Sequence, residues 1–257
     1  MEPRTVAATR YVTPLREGGS MPAVVEADDE GLYVLKFRGA GQGARALVAE
    51  WVAGEIGRAL GLPVPEIVFI DLDPELARTE PDPEIQDLIR ASAGLNLALD
   101  YLPGAVAFDP VAEQPEADLA SQVVWFDAFV SNVDRTPRNT NLLIWHRKLA
   151  LIDHGAALYF HHGWDGDTAN AGNAFPLIKD HVLLPRASRI AENDAALAAK
   201  LDEGTLAAIV ARLPDEWLQG PDAFADPAAQ RAAYLGYLTQ RLAQRERFVE
   251  EAIRARA

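Results

Sequence analysis

The sequence predicts an α+β chain folded as two lobes, a small β-rich N-terminal one and a mostly helical C-terminal one. Three observations lead there. The first hundred or so residues hold short apolar, partly β-branched runs separated by Gly, Pro and acidic turns; the remainder carries helix-length apolar patterns; and Pro103-Gly104 interrupts the chain between them. The expected division is residues 1–102 and 103–257, working together as one unit. At 257 residues with 49% apolar content, the chain can bury a core of that size.

Each element follows in order. Met21 to Ala27 and Leu32 to Phe37 flank the acidic turn Asp28-Asp29-Glu30-Gly31 and read as a β-hairpin. Ala44 to Leu60 reads as a helix with Val48, Trp51, Val52, Ile56, Ala59 and Leu60 on one broad face and Gly61 as its stop. Glu66 to Asp71 is a strand candidate after the Pro63-Val64-Pro65 break. Asp73 to Ser92, rich in acid and proline, reads as a surface excursion with a short helix near Pro83 to Arg90. Leu95 to Leu102 is the next strand candidate. Beyond Pro103-Gly104, Ala117 to Asn132 has a helical apolar pattern, and Leu142 to Trp145 with Lys148 to Ile152 suits a small hairpin around His146-Arg147. Helices are expected near Asp194 to Leu201 and Gly204 to Leu213, and one long terminal helix over Pro227 to Arg256.

Charge narrows the function classes. A formal net charge of -14, from 38 acidic against 24 basic residues, argues against nucleic acid or an anionic membrane surface as an obligatory partner. A small ligand or a protein is the expected target. No apolar run of about 20 residues and no secretory signal is visible, so no membrane insertion is expected and a cytoplasmic location is the default. Without Cys there is neither a disulfide framework nor a thiolate metal site, and the five His lack metal-ligand spacing.

The most informative stretch is Asn132-Val133-Asp134-Arg135-Thr136-Pro137-Arg138-Asn139-Thr140-Asn141, followed by Leu151-Ile152-Asp153-His154-Gly155. An Asp, an Asn five positions on, a short apolar hairpin and a second Asp before a small residue suit phosphoryl transfer. That chemistry needs an acceptor hydroxyl positioned and phosphate charge neutralised, largely by Mg²⁺ on hard oxygen ligands. Asp134 would orient the acceptor hydroxyl and take its proton, while Asn139 and Asp153 would hold the metal. Arg135 and Arg138 would surround Asp134 with positive charge and could reach the transferred group. Asn141 has the wrong offset for the metal Asn and is assigned to capping the loop backbone.

With these residues in place, the sequence resembles the HipA-like kinases, bacterial proteins with a two-lobed protein-kinase-like fold and a distant similarity to phosphoinositide 3-kinase type lipid kinases. The resemblance is strongest over Phe126 to Gly155 and weaker, but in the right order, over Thr13 to Leu102. It implies that Asp134 is the catalytic Asp, Asn139 the metal-binding Asn and Asp153 the second metal-binding residue. Thr136 stands where relatives often place His, and His154 replaces the usual aromatic.

A kinase also needs a cation on the nucleotide phosphates, and Lys36, on the strand after the first turn, is the candidate. Glu50 or Glu55 on the following helix would tether it, and spacing does not choose between them. Gly18-Gly19-Ser20 resembles the phosphate-covering loop of the family, and the resemblance implies Ser20 as an autophosphorylation site. The adenine is expected against the segment ending in Leu99, Tyr101 and Leu102, before Pro103-Gly104. The function expected is ATP- and Mg²⁺-dependent transfer to Ser or Thr of a protein. The competing expectations are a nucleotide-binding pseudokinase or interaction module, and a kinase acting on a small molecule or lipid.

Overall fold

The computed structural model describes residues 3–15, 21–41, 43–218 and 224–257. Its N-terminal part is a closed five-stranded barrel in the order β1-β2-β3-β5-β4. The strands are β1 (Thr5–Pro14), β2 (Ala23–Ala27), β3 (Leu32–Lys36), β4 (Ile67–Leu72) and β5 (Gly94–Asp100). β2 and β3 form the expected hairpin, with Ala23 opposite Leu35 and Glu26 opposite Leu32. The barrel closes because β1 pairs antiparallel with β2 and parallel with β4, which leaves no open edge.

β1 has no counterpart in the sequence reading. Two register shifts interrupt its pairing with β2, and only Val6 and Ala8 are buried along it. With so little alternation, its strand character comes from pairing on both edges, with the neighbouring β2 and the distant β4.

Period-two alternation sorts the strand residues. Tyr33, Leu35, Val68, Ile70 and Ala98 fill the barrel, while Ile67, Phe69, Leu97 and Leu99 point outward. The outward residues pack on α1 (Ala44–Leu60), which ends at the expected Gly61 with φ 83°. The sequence reading gave α1 a single apolar face. Instead it is buried nearly all round, from Leu47 to Ile56 without an exposed turn, because the C-terminal helices cover its other side. Trp51 shows this, lying 4.8 Å from the Phe69 ring and donating its indole N–H to the Ile209 carbonyl.

The acidic stretch after β4 is more than a surface excursion. It forms a 3₁₀ turn (Pro74–Thr79) and α2 (Pro83–Ala91), whose Ala77, Ile85 and Ile89 close one side of the barrel core. Asp73 and Asp82 accept from the backbone N–H groups of Glu75 and Glu84, so each acid caps a helix start.

Past Pro103, a short strand β6 (Val106–Ala107) leads to α3 (Ala117–Phe129). α3 is the centre of the C-terminal core: Val123, Val124, Trp125, Phe126 and Phe129 are fully buried. The hairpin β7 (Leu142–Trp145) and β8 (Lys148–Leu151) forms as expected, turning through His146 and Arg147 at φ 48° and 63°. α4 (Ile190–Ala198) packs against α3, α5 (Glu203–Val210) packs on α1 and on α6 (Pro227–Ala243), and α7 (Glu246–Arg256) packs against α3. The single terminal helix expected is therefore two. It breaks at Gln244-Arg245, where Arg245 reaches Asp194 and the new direction sets Phe248 against Trp125 and Phe129. Among the described residues no helix is long and apolar enough to cross a membrane.

Candidate active site

Five residues chosen from the sequence converge on one cleft between β3 and α1 on one side and the loops after α3 and β8 on the other. Lys36, Glu50, Asp134, Asn139 and Asp153 all line it. Alternation in β3 turns Lys36 away from the barrel interior, and its Nζ donates to Asp153 Oδ1 at 2.6 Å. Glu50 Oε2 lies 3.8 Å from the same nitrogen. Glu55 pairs with Arg58 on its own helix, so the tether left open by spacing is Glu50.

Glu50 is almost completely buried, and its partners explain how it stays charged. Burial alone would raise its carboxyl, but Lys36 and His154 outweigh that and hold it down to about 2. Burial would likewise strip the proton from Lys36; the neighbouring Glu50 and Asp153 carboxylates reverse this and raise its pKa. His154, in the position of the usual aromatic, joins this group. Its backbone N–H donates to Glu50 Oε1 at 3.0 Å and its Nδ1 lies 3.2 Å from the same oxygen, while its ring meets Phe126 edge-on. Gly54 lets the segment come close, since a Cβ there would run into Ile67 and stand 3.9 Å from His154 Nδ1.

The loop carrying Asp134 is held by a second, buried cluster. α3 ends as Ser131 turns left-handed, at φ 52°. Arg241 of α6 caps the helix from below by donating to the carbonyls of Ala128 and Phe129. Asp127, fully buried on α3, accepts from Asn132 Nδ2 at 2.9 Å, Arg135 Nε at 2.6 Å and His181 Nε2 at 2.8 Å. These partners outweigh the burial penalty and hold its carboxyl well below the usual carboxylate range. Asn132 Oδ1 in turn accepts the Asp134 N–H, and Arg135 Nη1 donates to the carbonyls of Asn141 and Ile152. One carboxylate thus ties the Asp134 loop to the residue before Asp153.

At the cleft itself, Asn139 Nδ2 donates to Asp134 Oδ2 at 2.7 Å. Asn141 caps the loop as expected, donating to the Asp134 carbonyl at 3.0 Å, and also lies 3.3 Å from Asp134 Oδ2. Asp153 sits at φ 54°, a left-handed conformation rare outside Gly, Asn and Asp.

Other expectations change. Arg135 does not face Asp134's carboxylate or the cleft: it is buried, with its Nε on Asp127 and its Nη1 on backbone carbonyls. Arg138 is exposed on the turn closed by Thr136 and Asn139, outside the residues lining the cleft. The segment expected to meet the adenine lies apart from the five residues of the cleft. Leu99, between Val34 and Ile67, is buried on the outer face of the barrel, and Tyr101 spends its N–H on the Leu32 carbonyl. Neither they nor Leu102 lines the cleft around Lys36. Gly18, Gly19 and Ser20 lie outside the described residues.

The sequence reading missed the cleft's other wall, formed by Phe37, Ala40, Gly41, Gly43, Ala46 and Leu47, with Gly155 and Ala156 opposite. A signal for it was present: Gly39-Ala40-Gly41-Gln42-Gly43 begins three residues after Lys36 and immediately precedes α1. The network residues Asp127 and His181 had none, since a lone Asp within an apolar helix and a lone His in a loop point to nothing until they meet.

Comparison with known proteins agrees with this architecture. A proinflammatory kinase of Helicobacter pylori, CtkA, superimposes with a TM-score of 0.53 at 12% identity, covering 98% of each chain. The Golgi casein kinase with Mn and ADP bound gives a TM-score of 0.56 at 10% identity, over 98% of this chain and 74% of that one. No curated protein sequence matches. These likenesses show a protein-kinase-like fold, with a small β-rich lobe and a mostly helical one. The model of the HipA-like kinases matches residues 9–251, and the chain belongs to that family.

Proposed function

We propose that the chain transfers the γ-phosphate of ATP, with Mg²⁺, to the hydroxyl of a Ser or Thr on a protein. Residues 1–102 and 103–257 act together as one kinase domain, the first serving the nucleotide and the second the acceptor. The observation that carries this reading is the convergence of Lys36, Glu50, Asp134, Asn139 and Asp153 on one cleft. Family membership supports phosphotransfer, and the nucleotide and divalent metal in one structural relative support the cofactor class.

The residues present fit such a metal. Asp153 offers carboxylate oxygens at the cleft, and Asn139, whose Nδ2 is turned to Asp134, has its Oδ1 to offer. Among the described residues no group of three His, Asp or Glu could enclose an ion by itself. Two protein oxygens with phosphate and water completing the shell is the pattern expected of Mg²⁺. Bound there, Mg²⁺ supplies neutralisation of the phosphate oxygens.

The chain's own residues do the rest. Lys36 leaves Asp153 for the phosphates, steered by Glu50. Asp134 orients the acceptor hydroxyl and takes its proton as the new O–P bond forms, the β–γ bridge breaks and ADP departs. The test is transfer of radiolabelled γ-phosphate from Mg-ATP to the chain itself and to dephosphorylated casein. Tight nucleotide binding with no transfer to any acceptor would replace this reading with that of a nucleotide-binding module.

A further inference from the structure

We infer that Asn141 is a positioning residue for the transfer, fixing the Asp134 carboxylate so that Oδ1 is the oxygen that receives the acceptor proton. This deepens the phosphotransfer reading above and rests on it. Asp134 Oδ2 is approached by two amides, Asn139 Nδ2 at 2.7 Å and Asn141 Nδ2 at 3.3 Å. Among the described residues no group donates to Oδ1, and Asp134 lines the cleft. A carboxylate oxygen that already accepts two N–H bonds is the weaker base of the pair, so the proton goes to the other one.

Asn141 is built for this task. Both hydrogens of its Nδ2 are spent on Asp134, one on the carbonyl at 3.0 Å and one on Oδ2. A residue that only capped the loop would need the first bond alone. Its backbone is fixed from two sides: its carbonyl accepts from Arg135 Nη1 and from the Ile152 N–H. Arg135 is held by Asp127, so the clamp is anchored in the core of α3. Asn141 is buried and sits at φ 48°, a conformation Asn tolerates far better than bulkier residues. In the step that results, the hydroxyl proton passes to Oδ1, the acceptor oxygen bonds to phosphorus, and the electron pair of the broken bridge leaves with ADP.

Two variants test this. Asn141→Gly keeps the left-handed backbone and deletes the amide; Asn141→Asp keeps the shape and replaces the donor with an acceptor. The readouts are kcat for γ-phosphate transfer from Mg-ATP to dephosphorylated casein and to the chain itself, KM and Kd for Mg-ATP, and thermal melting. The expected result is kcat lower by about 10- to 100-fold in Asn141→Gly and by more in Asn141→Asp, with KM and Kd within about twofold of the parent. Parent-like kcat in both variants would overturn the inference. So would nucleotide affinity falling in step with kcat, which would make Asn141 a ligand-binding residue, or activity falling only in proportion to the folded fraction, which would leave it a loop cap. A parent chain that transfers no phosphate would instead remove the phosphotransfer reading.

Discussion

Two charged clusters lie on either side of the Asp134 loop, and they are built differently. In the cleft, one Lys serves two carboxylates: Lys36 is 2.6 Å from Asp153 and 3.8 Å from Glu50, and the Asp153 side chain is 39% exposed. Behind the loop, Asp127, Arg135 and His181 are sealed from water, and both Asp127 oxygens are engaged. The inner cluster turns its hydrogen bonds inward and onto the loop, leaving, among the described residues, only the buried Arg135 Nη2 of its three members without a partner. The outer one keeps an exposed carboxylate and a loosely held cation that a ligand can redirect. A buried network whose partners all lie inside the core fixes a shape, whereas one open to the cleft can bind.

Substitutions can break that contrast. The largest expected effect is at the cleft: Asp134→Ala or Asp153→Asn, the latter keeping a residue that tolerates the left-handed backbone, should lower γ-phosphate transfer by at least about 10²- to 10⁴-fold while stability changes by less than about 1 kcal/mol. Radiolabel transfer read beside urea unfolding checks both halves. The inner cluster should behave the opposite way. Asp127→Ala leaves Arg135 charged, buried and unpaired, and should cost about 3–5 kcal/mol, with activity following the folded fraction. If Asp127→Ala proved as stable as the parent, the distinction between the two clusters would collapse.

Intermediate effects sharpen the picture. Glu50→Gln removes the charge that steers Lys36 and weakens the bonds from His154, so kcat/KM should fall about tenfold and stability by about 1–3 kcal/mol. Acid should weaken both clusters together. Glu50 and Asp127 have folded values below their ordinary 4.5 and 3.8, so their contribution is complete above those values and is lost as the pH falls through the folded ones. Unfolding free energy measured from pH 6 downward should therefore fall from about pH 4.5, and Asp127→Asn should flatten the slope. The smallest effect belongs to Arg138→Ala: exposed and outside the cleft lining, it should shift stability by less than about 0.5 kcal/mol and transfer by less than tenfold. A loss as large as that of Asp134→Ala would return Arg138 to the reaction.

The legible parts of the chain are those where local chemistry and tertiary structure ask for the same residue. The β2–β3 hairpin, the α1 helix with its Gly61 stop and the β7–β8 hairpin follow from periodicity and turn residues. Strand β1 was not legible because its alternation is broken by bulges and one of its two partners, β4, lies far along the chain. The break between α6 and α7 was hidden because both halves favour helix; the turn is set by Arg245 and Asp194, which meet only in the fold.

For the candidate site, the sequence by itself determined which residue types stand in which order: two Asp and an Asn at the spacing phosphoryl transfer uses, and a Lys on a strand in front of a Glu-bearing helix. Side-chain type and order along the chain carry that information directly. Only the tertiary structure decided which Glu faces Lys36, that Arg135 turns inward to Asp127, and that the glycine-rich segment before α1 walls the cleft in place of Leu99, Tyr101 and Leu102. Those are questions of direction and burial, and a side chain acquires both only from neighbours that the chain order does not put beside it.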